Sequence, residues 1–220
     1  MAAYSYPPFS GELLRNGGVW LDLVSQAFAK VDYHVEYTFF PFARVFSESQ
    51  FGQQQGVVCL WYSQIRSESY FFSAPYFYNE MKILKKTGRA LPIEKLYDLT
   101  KYRVGSVRGY LLPPKLESLG LNLEFVDTDS QNLKKLVAER IDFMIVDKYT
   151  ASYMLQKEQP DSSHLISTLE TTFEREANYL AIAKTQVNGS DLIDEFNKGM
   201  LLLKESGEYQ RIMAVHGFEQ

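Results

Sequence analysis

The sequence has one cysteine and three histidines among 220 residues. A lone cysteine cannot close an internal disulfide, and it leaves the redox compartment open. Cys59 lies within the apolar run VVCLW and is expected as a small buried hydrophobe. His34, His164 and His216 are scattered, which gives a metal site no support; each is expected at the surface or with its partner satisfied. No apolar stretch approaches the ~20 residues that span a bilayer. Basic residues are not in excess, with 23 Lys and Arg against 27 Asp and Glu, a net charge of −4 and no basic stripe. That balance argues against nucleic acid as a partner. The G-x-S-x-G, P-loop and H-E-x-x-H signatures are absent. The opening MAAYSYPPFSG has neither the basic start nor the apolar core of a signal peptide. The chain is expected to be cytosolic, or to be an exported protein in mature form behind an added methionine.

What is abundant is aromatic. Fifteen Tyr, fifteen Phe and two Trp bring the aromatic share to 15% in a chain that is 45% hydrophobic and 23% charged. Such a composition supports a packed soluble core. It fits either a ring-rich core or a cleft lined with rings, since Tyr offers an apolar body and a polar tip.

Strand and helix patterns alternate along the chain. VWLDLVSQAFAK (19–30) places Trp20, Leu23, Val24, Ala27 and Phe28 on one helical face. HVEYTFF (34–40) alternates at period two, as a strand does, and Pro41 suits the first turn of the helix after it. GVVCLW (56–61) reads as a strand covered on both faces. Further strands are expected at 102–107, 121–126, 141–147 and 178–184. A helix is expected over 130–140, capped by Ser130 or Asp129, and a turn and helix over RGYLLPPKLESLG. Two closing helices meet at Ser206-Gly207. This alternation predicts an α/β architecture with parallel sheets. The polar segment KKTGRALPIEKL (85–96) is the expected connection between two lobes.

Ligands of open α/β sheets bind beyond the carboxyl ends of strands. Arg66 follows GVVCLW, Asp147 ends IDFMIVD, and Arg108-Gly109 ends YRVGSV where a helix is expected to open. A guanidinium, a carboxylate and a helix start suit a zwitterion such as an amino acid. The alternative is that Arg66 and Asp147 are solvated loop charges.

The ordered set of segments resembles the type 2 periplasmic binding fold, and within it the amino-acid-type solute-binding proteins of bacterial ABC importers, family 3. YPPFSG (6–11) resembles their opening Tyr-x-Pro-Phe, and GGVWLDLVSQAFAK their Gly-Phe-Asp-x-Asp-Leu helix, with Asp22 and Leu23 retained. SQIRSESYFFSAPYF resembles Thr-x-x-Arg followed by Phe-Ser-x-Pro-Tyr. RVGSVRG, RIDFMIVD and ESGEYQRIMAVHGF resemble their Val-Gly turn, Asp-ending strand and closing helix. The resemblance implies a two-lobed protein, with lobe 1 at 1–85 and 182–220, lobe 2 at 86–181, and a hinge of two crossing segments. It implies that Tyr6 stacks on the ligand, that Arg66 clamps a carboxylate in a bidentate fork, and that Ser63 sits beside that carboxylate. It further implies that the backbone N–H of Tyr110 caps the carboxylate and that Asp147 takes the amino group. Trp61, Tyr62 and Tyr110 depart from the smaller residues of the family, which makes the pocket partly filled or aromatic.

The expected function is capture of a small amino acid or related carboxylate in the inter-lobe cleft by a monomer in the periplasm, for a membrane ABC permease. No cofactor, metal or catalytic residue is implied. The alternatives with the same fold are a dehydratase on a cyclic amino-acid precursor, with Glu174 or Glu176 as acid or base, and the ligand-sensing domain of a membrane receptor.

Overall fold

The computed structural model describes residues 1–171 and 173–218. They form two compact units: residues 1–78 with 177–220, and residues 79–176. Both are mixed α/β.

The first unit holds a six-stranded sheet. β1 (Ala2–Ala3) lies between β2 (Thr38–Phe39) and β3 (Gly56–Leu60), and both pairings are parallel. β11 (Glu176–Ala183) runs antiparallel between β3 and β4 (Tyr70–Phe72), and β5 (Phe77–Asn79) also pairs with β11. Every residue of β3 is buried, as its unbroken apolar run requires. α1 (Val19–Ala29) turns Trp20, Leu23, Val24, Ala27 and Phe28 inward, the face its 3.6-residue spacing predicts. β2 is much shorter than the expected strand over 34–40, because β1 offers it only two residues to pair with. α2 (Phe42–Gln50) follows with Pro41 as its cap.

The chain closes on itself within this unit. α7 (Gly189–Glu205) and α8 (Glu208–Val215) meet at Gly207, and the His216 ring bonds to Asp22 on α1 at 2.9 Å. Asp22 also accepts from Asn16 at 3.0 Å. Both partners of the His216–Asp22 pair are buried, so His216 is satisfied within the protein. Changing His216 to Ala leaves Asp22 short of a donor in a dry site. We expect a loss of about 1–3 kcal/mol, read from the urea midpoint with the fold otherwise retained. An unchanged midpoint removes this tether from the account of how the C-terminal helix is held.

The second unit holds a five-stranded sheet in the order β10-β6-β9-β7-β8. β7 (Arg103–Val107) is parallel to β8 (Asn122–Val126) and to β9 (Phe143–Asp147). β6 (Met81–Lys86) and β10 (Ile166–Thr168) add antiparallel strands. The expectation of parallel sheets is therefore met only in part, since each sheet is mixed. The helices are α5 (Asp129–Val137), α6 (Lys148–Tyr153) and the four-residue α4 (Pro114–Glu117). α5 is capped by Thr128, not by Ser130 or Asp129: Thr128 and Gln131 form a reciprocal capping box.

The units divide at 78/79 and 176/177, not at the expected 85/86 and 181/182. Met81–Lys85 pairs residue by residue with Asp147–Phe143, which ties that stretch to the second unit. The polar segment 85–96 runs within the second unit and is not the connection between units.

Candidate functional site

In the first unit the candidate residues gather where β3 ends. Ser63 is the N-cap of α3 (Gln64–Ser69), and its hydroxyl oxygen accepts the Arg66 backbone N–H at 3.2 Å. Helical spacing then returns the Arg66 side chain toward the strand end, where Nη1 donates to the Trp61 carbonyl at 2.9 Å. The guanidinium carbon lies 4.9 Å from the Phe46 ring centroid and 6.0 Å from that of Phe42, within cation–π range. Burial lowers the Arg66 pKa from its ordinary value, and the phenols of Tyr4 and Tyr70 and the thiol of Cys59 oppose that shift. A guanidinium nevertheless stays protonated. The result is a half-buried cation seated over rings and bonded to the Trp61 carbonyl, a setting in which a charge-assisted bond to an anion gains strength.

Rings continue outward from this point. Trp61 is half-buried. Tyr62 is 50% exposed, with Phe72 edge-on at 5.2 Å and Tyr179 at 6.4 Å. Beneath them Cys59 is fully buried, and its thiol meets the Asn178 amide oxygen at 2.9 Å. Burial pushes that thiol well above its usual range, so it is inert filling, as its apolar run predicts.

Tyr6 packs inward in the first unit. Its ring is buried and stacks on Phe9 at 5.5 Å and Trp20 at 5.6 Å. These rings make Tyr6 part of the aromatic cluster of the first unit.

The second unit departs further from expectation. No helix opens at Arg108-Gly109. Gly109 has φ 87°, the left-handed turn region, and Pro113-Pro114 delay the helix to residue 114. Arg108 is exposed and pairs with Asp127 at 3.5 Å. The Tyr110 N–H expected to cap a carboxylate donates instead to the Val107 carbonyl at 3.0 Å, closing the turn.

Asp147 is fully buried, and its two oxygens accept four hydrogen bonds. Oδ1 takes the backbone N–H groups of Tyr149 (2.7 Å) and Thr150 (3.4 Å), as the N-cap of α6. Oδ2 takes the Asn79 amide (3.1 Å) and the Glu80 N–H (2.8 Å). Burial raises its pKa to about 6 against the pull of these donors. These bonds tie the start of α6 to Asn79 and Glu80, where the chain enters the unit.

Glu174 and Glu176, the alternative acid and base, border a cavity of about 100 Å³ with Pro113, Pro114, Lys115 and Phe173. Burial, and then the Glu174 charge, raise the Glu176 pKa. Among the described residues no group of three His, Cys, Asp or Glu side chains is placed to hold a metal ion, and no helix is long and apolar enough to cross a membrane.

Sequence reasoning took Asp129 only as a possible helix cap and did not single out Asn132. Both are buried with polar atoms lacking a partner among the described residues. No sequence signal marks this, because it depends on what the neighbouring elements fail to supply.

Two mixed α/β units, one assembled from both ends of the chain, make a type 2 periplasmic-binding-protein-like fold. Solved structures share it. An ancestral arginine-binding protein bound to arginine is 24% identical, with 98% of this chain and 96% of that one covered and a TM-score of 0.82. A histidine kinase sensor domain with similarity to periplasmic binding proteins is 20% identical, with 100% and 96% covered and a TM-score of 0.83. The amino acid ABC transporter substrate-binding protein AbpA from Streptococcus pneumoniae, bound to L-arginine, is 19% identical, with 98% and 92% covered and a TM-score of 0.80. No curated protein matches the chain. The model of the bacterial extracellular solute-binding proteins, family 3, matches residues 1–218, and the chain belongs to that family.

Proposed function

We propose that this protein binds a small amino acid or related carboxylate in the periplasm and delivers it to a membrane ABC permease. The observation that carries this reading is Arg66, a half-buried guanidinium fixed on the Trp61 carbonyl and seated over Phe46. Its planar fork suits a carboxylate in a bidentate pair, which a lysine cannot copy. Neighbours of the same fold that are bound to arginine or glutamine support an amino acid as the class of ligand. Ser63 keeps its hydroxyl proton for the same carboxylate, since its oxygen is the acceptor in the helix cap.

The chain carries its own reporter. Of the two tryptophans, Trp61 is half-buried beside Arg66, whereas Trp20 is 1% exposed within the core. Titration with a panel of amino acids, their amides and small organic acids should identify a free carboxylate that shifts the emission. Trp61→Phe should lose most of the shift and Trp20→Phe should keep it. If no carboxylate binds, the reading fails. If one binds by calorimetry while Trp61 emission stays unmoved, the site lies away from Arg66.

A second reading, the sensing domain of a membrane receptor, is supported by the likeness to the histidine kinase sensor domain. It predicts the same ligand chemistry but a natural gene that also encodes a signalling segment. Catalysis has less support: the family is one of binding proteins. Mass spectrometry of ligand recovered after long incubation should return it unchanged. A product that disappears in Glu176→Gln would turn the assignment toward an enzyme.

A further inference from the structure

A groove of about 440 Å³ opens in the first unit at the amino ends of β1, β2 and β3, so it lies at the opposite end of β3 from Arg66. One wall is residues 34–36, just ahead of β2, with Thr38; the other is residues 53–55, just ahead of β3. Phe28 of α1 and Leu192 of α7 give the groove an apolar side, and Met1 lines it between the walls.

The hydrogen bonds around Met1 are those of a strand already under way. In a parallel pair, a residue donates its N–H to the residue before its partner and accepts an N–H from the residue after it. Met1 does both, with Tyr37 as that partner. Its amine donates to the Glu36 carbonyl at 2.5 Å, and its carbonyl accepts the Thr38 N–H at 3.0 Å. Ala3 continues the ladder and accepts the Phe40 N–H at 2.9 Å. On the other side Ala2 pairs with Val57. Gln55 is still in line with β3, since its carbonyl accepts the Ala183 N–H of β11 at 2.9 Å. Both walls therefore run on as strand-like backbone ahead of β1. They flank one strand on its two sides, so they stand about 9.5 Å apart, twice the spacing of neighbouring strands. That is room for a single extended chain.

Two further observations favour a peptide there. Residues 34–37 carry the period-two pattern of a strand, yet β2 forms only at Thr38–Phe39. Burial also lowers the pKa of the Met1 amine, against the pull of the Glu36 charge. A neutral peptide N–H in the same place makes the same bond with no charge to desolvate.

We propose that this groove seats an extended segment joined ahead of Met1, which carries β1 backward by about three residues as a parallel strand between β2 and β3. The residue directly ahead of Met1 pairs toward β3, with its carbonyl on the Gly56 N–H and its own N–H on the Gln54 carbonyl. The one before it pairs toward β2, with its carbonyl on the Glu36 N–H and its N–H on the His34 carbonyl. Alternate side chains of the segment face Phe28 and Leu192 and are apolar. The segment lengthens β2 toward the span its sequence pattern predicts. Its effect is on the stability of the first unit, at the end of the sheet away from Arg66, and it does not depend on the ligand reading.

The test compares the present chain with chains that carry four added residues ahead of Met1. Lys-Val-Lys-Val and Val-Lys-Val-Lys place their apolar side chains on opposite faces, because a shift of one residue turns every side chain over. The frame that turns valine toward Phe28 and Leu192 should slow exchange of the Glu36 and Gly56 amides by about tenfold or more and raise the urea midpoint. The other frame should gain less. Pro-Gly-Pro-Gly, with prolines that cannot donate to a ladder, should gain neither. If neither alternating extension slows these two amides, the proposal fails. The free peptide acetyl-Lys-Val-Lys-Val-amide should protect them far more weakly, since joining raises the effective concentration of the segment. A free peptide that protects as well as the joined one means that the groove serves another chain, and this too overturns the proposal. Protein isolated from its own host should show residues ahead of Met1 when its amino terminus is mapped by mass spectrometry. A natural terminus at Met1 or later overturns the assignment.

Discussion

Replacing Arg66 with alanine should weaken the binding of any carboxylate ligand by about 2–5 kcal/mol, the usual cost of truncating one partner of a hydrogen-bonded charge pair. That is on the order of 30-fold to several thousand-fold in affinity. The fold should survive, because Arg66 lies just past a strand end, half-buried, and bonds to a backbone carbonyl there, outside the core. Arg66→Lys is the sharper control. It keeps the charge but loses the planar fork and the broad contact with Phe46. A lysine that restores full affinity would mean that the site reads charge alone. Isothermal titration of both variants with the best ligand of the panel measures this, and an alanine variant with wild-type affinity removes Arg66 from the site.

Asp147→Ala should act on stability. It strips the acceptor from four donors, two at the start of α6 and two at Asn79 and Glu80. Leaving buried donors unanswered costs about 1–3 kcal/mol each, partly recovered where water can reach them. A net loss of about 3 kcal/mol or more is expected. Asp147→Asn retains shape but turns a donor toward other donors, so it should be nearly as damaging. Because the chain has two compact units, amide exchange over residues 79–86 and 143–153 is the right probe, since a single melting curve would merge two transitions. The pH dependence has a defined sign. An acid whose folded pKa is raised takes up a proton on folding, so the Asp147 contribution to stability is fully present below about pH 4 and is lost as pH rises toward about 6. If Asp147→Ala leaves exchange in both segments untouched, the clamp is not structural, and a ligand role returns.

The same two residues also show where the sequence was legible. The apolar run of β3, the stripe of α1 and the order of segments are local patterns, and the structure follows them. Thr128 as the cap of α5 was readable too, because Thr128 and Gln131 have the capping-box spacing; the neighbouring Asp129 and Ser130 drew attention away from it. The place of Arg66, just past a buried strand and half-buried among rings, was readable because a lone cation after such a strand is unusual in itself. The structural role of Asp147 was not legible, because two of its four donors arrive from Asn79 and Glu80, which no local pattern links to it. The ring packing of Tyr6 was hidden for the same reason. Phe9 is close in sequence, but Trp20 reaches it only through the folded packing of α1. Gly109 and the two prolines explain the missing helix at 108, where turn residues outweighed the strand–helix rhythm of the rest of the unit.

The place of β11 has a consequence for synthesis. This strand sits between β3 and β4, yet it is made about a hundred residues after them. A chain leaving the ribosome therefore carries two apolar strand edges with no partner until residues 176–183 emerge, while residues 79–176 form a continuous segment whose sheet is already complete. The second unit can mature first, and the first unit waits for the tail of the chain. Such waiting edges invite pairing with other chains, so the hazardous interval in the life of this protein is the span in which its central strand has not yet been translated.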